Sequence, residues 1–191
     1  MSTMTVRPFT PVIGAEVTGV DLSRPLADVD FAAIQRAWHR HLVLVFRDQS
    51  LTDPQLERFS ARFGSLDRKP VYTDEVVDTT TSDYVCVISN VKIGGKPIGD
   101  LGDGEAVWHT DMSYNELPPS AAALYALELP AAGGETGFAN MYAAYETLAP
   151  ALKARVQTLL CKHDATRNSA GGLRRGMPEV TDPSASPGTA H

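Results

Sequence analysis

The residues best suited to chemistry are His109 and Asp111, within the stretch 107–114. In an extended strand, residues two apart project to the same face, so an imidazole nitrogen and a carboxylate oxygen can converge on one metal ion. With a second histidine from elsewhere, such a pair makes the 2-His-1-carboxylate triad of non-haem Fe(II) oxygenases, which leaves positions open for a co-substrate and O2. A His-x-Asp also arises by chance. The alternative is therefore a surface strand that carries two polar residues.

The composition of the chain bounds its class. Its 191 residues are 43% hydrophobic and 21% charged, which predicts one soluble globular domain with a sizeable core. The formal net charge of −6 and the lack of a basic block argue against nucleic-acid binding. No apolar run approaches transmembrane length and no signal-like region follows Met1, so we expect no membrane association. Cys86 and Cys161 are expected to be buried free thiols in a cytoplasmic protein.

Hydrophobic patterning in the first half predicts a β-α-β-α opening. We expect, in chain order, short strands within 5–22 joined at Gly14 and Gly19, a helix capped by Asp30 and running to about His41, a buried central strand over 42–46, and a helix capped by Thr52 and ended by Gly64. The two histidines at the end of the first predicted helix, His39 and His41, fit a structural role better than metal binding.

The second half places the His-x-Asp stretch among further predicted elements. We expect a buried strand over 84–89, a core strand over 121–129, a turn over 130–136, and helices over 141–148 and 150–160 whose buried stripe is Leu152, Val156, Leu159 and Leu160. The glycine-rich residues 90–105 fit either a mobile lid or a solvated hairpin. Residues 171–191 are rich in Ser, Gly and Pro and predict a flexible loop or tail.

Several motifs in register resemble the taurine/2,4-D dioxygenase family of Fe(II)- and 2-oxoglutarate-dependent enzymes. The similarity covers roughly residues 8–170 in family order and is far more specific than the His-x-Asp pair alone. The stretches that carry it are Gly14–Ser23, Val45–Gln49, Arg62–Gly64, Trp108–Asp111 and Leu129–Thr136.

The resemblance implies a fold, a cofactor set and a set of roles. The fold would be α+β, a double-stranded β-helix (a cupin-like jelly roll) with flanking helices, and residues 1–170 would form the N-terminal two-thirds of the dioxygenase domain. His109 and Asp111 fall on the first two iron ligands, and Thr136 on the threonine that contacts 2-oxoglutarate. Fe(II), 2-oxoglutarate, O2 and a small organic substrate would be the partners, with no catalytic residue beyond the metal ligands.

Two departures from the family pattern qualify the expected function. The family's distal histidine ligand and the arginine that pairs with 2-oxoglutarate lie downstream of the matched stretch, and neither His163 nor His191 takes the ligand's place. A taurine-type histidine is replaced by Lys69, which argues against taurine and leaves another anionic substrate open, since Lys69 supplies a cation. Lys69, Tyr72 and Asn90 are the candidate substrate contacts.

Three functional hypotheses stay open from the sequence. The first is a 2-oxoglutarate-dependent dioxygenase. The second is a truncated, non-catalytic fragment of that fold that needs a further segment or chain to complete the site, with exposed sheet edges that would favour homo-oligomers. The third is a zinc hydrolase built on His109 and Asp111, which faces the same shortage of ligands and accounts for fewer motifs.

Overall fold

The computed structural model describes residues 4–69, 76–101, 107–168, 171–174 and 176–191. The chain divides into two compact units, Met1–Arg62 with Ala123–Thr158 (the first unit) and Phe63–Ala122 with Leu159–His191 (the second unit). The strands are β1 Thr5–Pro8, β2 Ala15–Thr18, β3 Leu44–Phe46, β4 Ile88–Ser89, β5 Lys92–Ile93, β6 Lys96–Pro97 and β7 Asp100–Leu101. The helices are α1 Asp28–His41, α2 Asp53–Ser60, α3 Met141–Glu146, α4 Pro150–Val156 and a 3-10 turn at Pro183–Ala185. Helices and strands thus both occur, as an α+β fold requires.

The core of the first unit forms between a three-stranded sheet and α1. The sheet has the order β1-β2-β3, with β1 antiparallel and β3 parallel to β2. Ala15 and Val17 of β2 are buried, as are Phe31, Ile34 and Ala37 of α1, since the apolar residues of the helix recur on one face. The predicted central strand over 42–46 is wrong in its position: β3 lies at the edge of this sheet and is half-buried.

The two longer helices begin where their local sequence favours it. Ala27, not Asp30, precedes the first turn of α1, and Asp30 lies within that turn, where its carboxylate favours the positive end of the helix dipole. Thr52 caps α2 as predicted, with its backbone N–H donating to Gln55 Oε1 at 2.8 Å. This helix ends at Ser60, four residues before Gly64.

Several apolar segments predicted to be buried are exposed. Only Ile88–Ser89 of the predicted strand over 84–89 pairs with another strand, and residues 121–129 form no strand. Leu129 is 82% exposed, and the stripe expected to be buried on α4 and after it is also exposed. Apolar periodicity shows which side chains would face a core, but not whether a surface covers them. Cys86 and Cys161 are likewise exposed, contrary to the expectation of buried thiols.

A tight hairpin accounts for part of the glycine-rich stretch 90–105. Strands β5 and β6 pair antiparallel through Gly94 and Gly95, whose φ angles of 58° and 80° suit the primed turns that connect two-residue hairpins. Residues 92–97 therefore form the solvated hairpin that was one of the two alternatives. Residues 102–106 lie outside the described part of the chain. No helix among the described residues is long and apolar enough to cross a membrane.

The end of the chain pairs with residues 161–165 in the second unit. Cys161 and His191 exchange two backbone hydrogen bonds of 2.8 and 3.1 Å, and His163 N donates to Thr189 O at 2.9 Å. Ala165 N continues the ladder to Pro187 O at 2.8 Å. Within 171–191, the segment for which we expected a flexible loop or tail, this ladder and the 3-10 turn are among the structures that supply backbone hydrogen bonds.

Gly188 is required for this ladder. A Cβ atom at this position would overlap the carbonyl oxygen of His163, and φ is +130°. We expect Gly188→Ala to lower the free energy of unfolding by about 2 kcal/mol or more, since overpacking adds to an unfavourable backbone conformation. Chemical denaturation of the 191-residue chain measures this loss.

The matched control is Gly95→Ala in the same unit, where φ is also positive but open space surrounds the added methyl group. This variant should lose only about 1 kcal/mol. Equal losses in the two variants would contradict the close approach at Gly188.

Candidate metal centre

The side chains of His109 and Asp111 face each other. His109 Nε2 lies 3.1 Å from Asp111 Oδ1, and the opposite ring nitrogen, Nδ1, lies 2.7 Å from the carbonyl oxygen of Val107. The side chains are 42% and 58% exposed, respectively, so an ion from solvent can reach the pair. An imidazole nitrogen and a carboxylate oxygen, both able to bind a metal ion, therefore converge at one solvent-accessible place on the second unit.

The two contacts of the His109 ring limit what a neutral imidazole can do. A neutral ring carries one N–H, so it can donate from Nδ1 to the Val107 carbonyl or from Nε2 to Asp111, but not to both. In the tautomer that donates from Nδ1, the Nε2 lone pair faces a carboxylate oxygen of Asp111. A metal ion placed there would bind both atoms.

The separation of the two donors fits adjacent positions on one metal ion. With metal–ligand bonds of about 2.1 Å, two ligands at a right angle lie about 3 Å apart. The observed 3.1 Å between His109 Nε2 and Asp111 Oδ1 matches this. The Nδ1 hydrogen bond to a backbone carbonyl is also the second interaction that metal-bound histidines usually make. Among the described residues, no group of three or more His, Cys, Asp or Glu side chains could hold a metal ion.

The geometry arises in a loop and not, as predicted, in a strand. Residues 107–110 form no strand ladder, and residues 111–114 form a turn in which Asn115 N donates to Met112 O at 3.0 Å. The contact with Val107 orients the His109 ring, in place of a strand pleat. Met112 has a φ of +48°, a left-handed conformation that costs a non-glycine residue about 1 kcal/mol or more.

The turn after Asp111 is held by the C-terminal residues of the second unit. Thr189 N donates to Tyr114 O at 3.1 Å, and the Nε2 atom of His191 lies 3.1 Å from Ser113 O and 3.0 Å from Asn115 O. Arg174 donates to the Tyr114 hydroxyl, and its guanidinium lies 4.2 Å from the centre of the Tyr114 ring. These contacts were not predicted from the sequence, because the composition of 171–191 indicates a loop and no periodic pattern marks Arg174 or His191.

Comparison with known proteins assigns the chain to a family. The family model described as "Taurine catabolism dioxygenase TauD, TfdA family" matches residues 5–190. The chain belongs to the TauD/TfdA family. Enzymes of this family use Fe(II) and 2-oxoglutarate, the cofactors that the resemblance implied.

Curated relatives include two enzymes named as alpha-ketoglutarate-dependent dioxygenases. The chain is 34% identical over 165 residues to the (S)-phenoxypropionate/alpha-ketoglutarate-dioxygenase of Sphingobium herbicidovorans, a match that covers 83% of this chain and 52% of the relative. It is 36% identical over 159 residues to the alpha-ketoglutarate-dependent sulfate ester dioxygenase of Pseudomonas putida, covering 83% and 48%. The chain spans about half the length of the curated relatives it matches.

Solved structures of TauD/TfdA-like proteins superpose on the chain. A taurine dioxygenase from Burkholderia xenovorans matches with a TM-score of 0.69 at 33% identity, covering 86% of this chain and 55% of that one. The structure of AAD-2 in complex with Mn(II) and N-oxalylglycine matches with a TM-score of 0.64 at 26% identity, covering 98% and 62%. These structural neighbours are TauD-like, although the described residues form only short sheets of two and three strands.

The predicted substrate contacts of this TauD/TfdA chain occupy different surroundings. Lys69 is largely buried, and its Nζ lies 2.6 Å from Asp78 Oδ2 and 3.1 Å from Thr80 Oγ1. The hydrogen bonds from Lys69 and then from Thr80 N hold the pKa of Asp78 below its usual range. Asn90 is exposed, and Tyr72 lies outside the described residues. An anion that binds Lys69 would therefore share Nζ with Asp78 or displace it.

Thr136 lies in the first unit, whereas His109 and Asp111 lie in the second. It is exposed and follows a turn in which Gly133 and Gly134 have φ angles of 78° and 76°, so the glycines provide the left-handed backbone that the turn requires. Within 130–136, where a turn was predicted, the structure has a bend at Ala131 and Ala132 followed by these two left-handed glycines. The contact between Thr136 and 2-oxoglutarate stays a prediction.

Replacing His109 by alanine tests the metal pair directly. We expect His109→Ala to abolish Fe(II) binding, because it removes one of two converging donors. Asp111→Asn, which keeps the shape of the side chain but removes its charge, should also weaken binding. Anaerobic Fe(II) titration of the purified chain measures both effects.

His39→Ala is the control, since His39 is an exposed imidazole in the last turn of α1. Its Fe(II) affinity should equal that of the unchanged chain. Unchanged Fe(II) affinity in His109→Ala would show that His109 is not a metal ligand.

Proposed function

We propose that this chain forms part of an Fe(II)- and 2-oxoglutarate-dependent dioxygenase that hydroxylates a small organic substrate. The carrying observation is the His109–Asp111 pair, whose Nε2 and Oδ1 atoms converge at 3.1 Å within a chain that matches the TauD/TfdA family. The double-stranded β-helix of such enzymes is proposed for the complete fold. The TM-scores of 0.69 and 0.64 support it.

His109 and Asp111 would hold the iron from one side. Bound there, the iron supplies the activation of O2 that couples decarboxylation of 2-oxoglutarate to succinate and CO2 with oxygen transfer to the substrate. The contribution of the chain is orientation. The Val107 carbonyl holds the His109 ring with Nε2 turned towards Asp111, and the negative carboxylate of Asp111 favours a divalent cation at that place.

A small anion is the substrate class that we favour. Two relatives are named for phenoxypropionate and for sulfate esters, and both compounds carry a negative charge. Lys69 supplies a cation, already engaged by Asp78, and Tyr72 and Asn90 supply further polar groups. A substrate carboxylate or sulfate would share or replace the Asp78 contact.

The alternative function is a non-catalytic chain that needs a further segment or chain to complete the site. The observation that favours it is the shortage of ligands: the described residues bring two donors together at His109 and Asp111, and no group of three. Catalytic metals are usually held by three protein ligands. The donor that completes the site must then come from elsewhere.

The role of Thr136 can be tested through 2-oxoglutarate binding. We propose that its hydroxyl contacts a 2-oxoglutarate carboxylate, as the family resemblance implies. A hydrogen bond to a charged group contributes about 1.5–3 kcal/mol, so Thr136→Val should weaken binding about ten-fold or more. Thr136→Ser, which keeps the hydroxyl, is the matched control. Calorimetric titration with 2-oxoglutarate in the presence of Mn(II) distinguishes them, and equal affinity in both variants would refute the contact.

Turnover by the 191-residue chain decides between the two functions. We expect little succinate from the purified chain with Fe(II), 2-oxoglutarate and ascorbate, because two protein donors hold a metal weakly. Robust succinate formation would overturn the alternative, and its loss in His163→Ala would identify a third ligand in this chain. The structure argues against His191 as that ligand, because its Nε2 lies at hydrogen-bonding distance from two carbonyl oxygens, which only accept.

A further inference from the structure

The turn that follows Asp111 is held at three consecutive carbonyl groups. The carbonyl oxygens of Ser113 and Asn115 accept from His191 Nε2, and that of Tyr114 accepts from Thr189 N. Between Asp111 and these carbonyls lies Met112, with a φ of +48°. A non-glycine residue stays in this conformation only where its surroundings enforce it.

Arg174 holds the side chain of the central turn residue. Its guanidinium both lies over the Tyr114 ring and donates to the Tyr114 hydroxyl. Arg174 is itself fixed, since its backbone N donates to Thr166 O at 2.6 Å and its Nε donates to Arg167 O at 3.0 Å. Thr166 is almost completely buried. The buried residue Thr166 thus fixes Arg174, and Arg174 in turn fixes the side chain of Tyr114.

We propose that Arg174 and His191 are positioning residues for the metal-binding pair. By holding residues 113–115 they keep Met112 left-handed, which sets the direction in which the chain leaves Asp111 and so keeps its carboxylate opposite His109. This inference rests on the proposed function, in which His109 and Asp111 bind the iron. Neither Arg174 nor His191 binds the metal in this role.

The geometry calls for an arginine at position 174 and a side-chain N–H donor at position 191. A guanidinium can stack on an aromatic face and donate from its edge at the same time, which a lysine ammonium cannot do in the same way. The His191 ring lies 5.6 Å from the His163 ring in an edge-to-face arrangement, and its Nε2 is 3.1 and 3.0 Å from the two carbonyl oxygens. The contact with the His163 ring orients Nε2 of His191. Nε2 then holds the carbonyls of the residues immediately before and after Tyr114.

The test of Arg174 compares two arginines of one segment. Arg174→Met removes the contact with Tyr114, whereas Arg167→Met makes the same charge change at a guanidinium that contacts Gly171 and Glu179. Mn(II), the ion bound in AAD-2, is titrated into the 191-residue chain and followed by EPR. We expect the Kd for Mn(II) to rise about ten-fold in Arg174→Met, as for other residues that orient metal ligands. Arg167→Met should leave it unchanged, and Arg174→Lys should not restore it.

A second readout follows the turn without metal. Hydrogen exchange of the Asn115 amide, which donates to Met112 O, should accelerate in Arg174→Met and not in Arg167→Met. Thermal unfolding is recorded for both variants. Equal melting temperatures with unequal Mn(II) affinities would separate positioning of the turn from a general loss of stability.

His191 is tested by a pair of substitutions with opposite expectations. His191→Phe keeps a ring beside His163 but removes the donor, and His191→Gln keeps a donor that can reach carbonyl oxygens. We expect weaker Mn(II) binding and faster Asn115 exchange in His191→Phe, with partial rescue in His191→Gln.

The outcomes distinguish this inference from the proposed function. Unchanged Mn(II) affinity and unchanged Asn115 exchange in Arg174→Met and His191→Phe would overturn the positioning role while leaving the metal site intact. A wild-type chain that binds no Mn(II), but whose Asn115 exchange accelerates in both variants, would overturn the proposed function and support the hold on the turn.

Discussion

The contact between His109 Nδ1 and the Val107 carbonyl is the interaction on which the candidate site depends. When Nδ1 donates to this carbonyl, the second ring nitrogen keeps its lone pair and points at a carboxylate oxygen 3.1 Å away. These two atoms can then bind one cation together. A contact between residues two apart thereby adapts a common His-x-Asp spacing to metal binding.

The surroundings of this pair explain why its chemistry resides in a loop. A strand would have fixed the direction of both side chains through its pleat. In the loop, direction comes from the left-handed residue Met112 and from the carbonyl groups that follow it, each held by residues far along the chain. The exposed position of His109 and Asp111 leaves room for further ligands on the open side. The same turn thus orients the two side chains through its backbone contacts and leaves them accessible to solvent.

The sequence predicts the structure correctly where short-range chemistry determines the result. The Thr52 cap, the turns at Gly14 and Gly133, the α1 core face and the His109–Asp111 convergence follow from neighbours a few residues apart. It failed where the result depends on distant surfaces. Apolar residues over 121–129 have the composition of a core strand yet stay exposed, and the polar composition of 171–191 concealed its pairing with 161–165. The periodicity of apolar residues shows which face of an element is apolar, but not whether another element covers that face.

The contacts between the turn and the C-terminal residues also set the order in which the chain can fold. Tyr114 and Arg174 are 60 positions apart, and Ser113 and His191 are 78 apart, so each contact closes a long loop at an entropic cost that local pairs do not incur. Hairpins and helices form in microseconds or less, whereas non-local pairings form late. During synthesis His109 and Asp111 leave the ribosome well before His191 does. Their final arrangement is therefore one of the last features of the second unit to form.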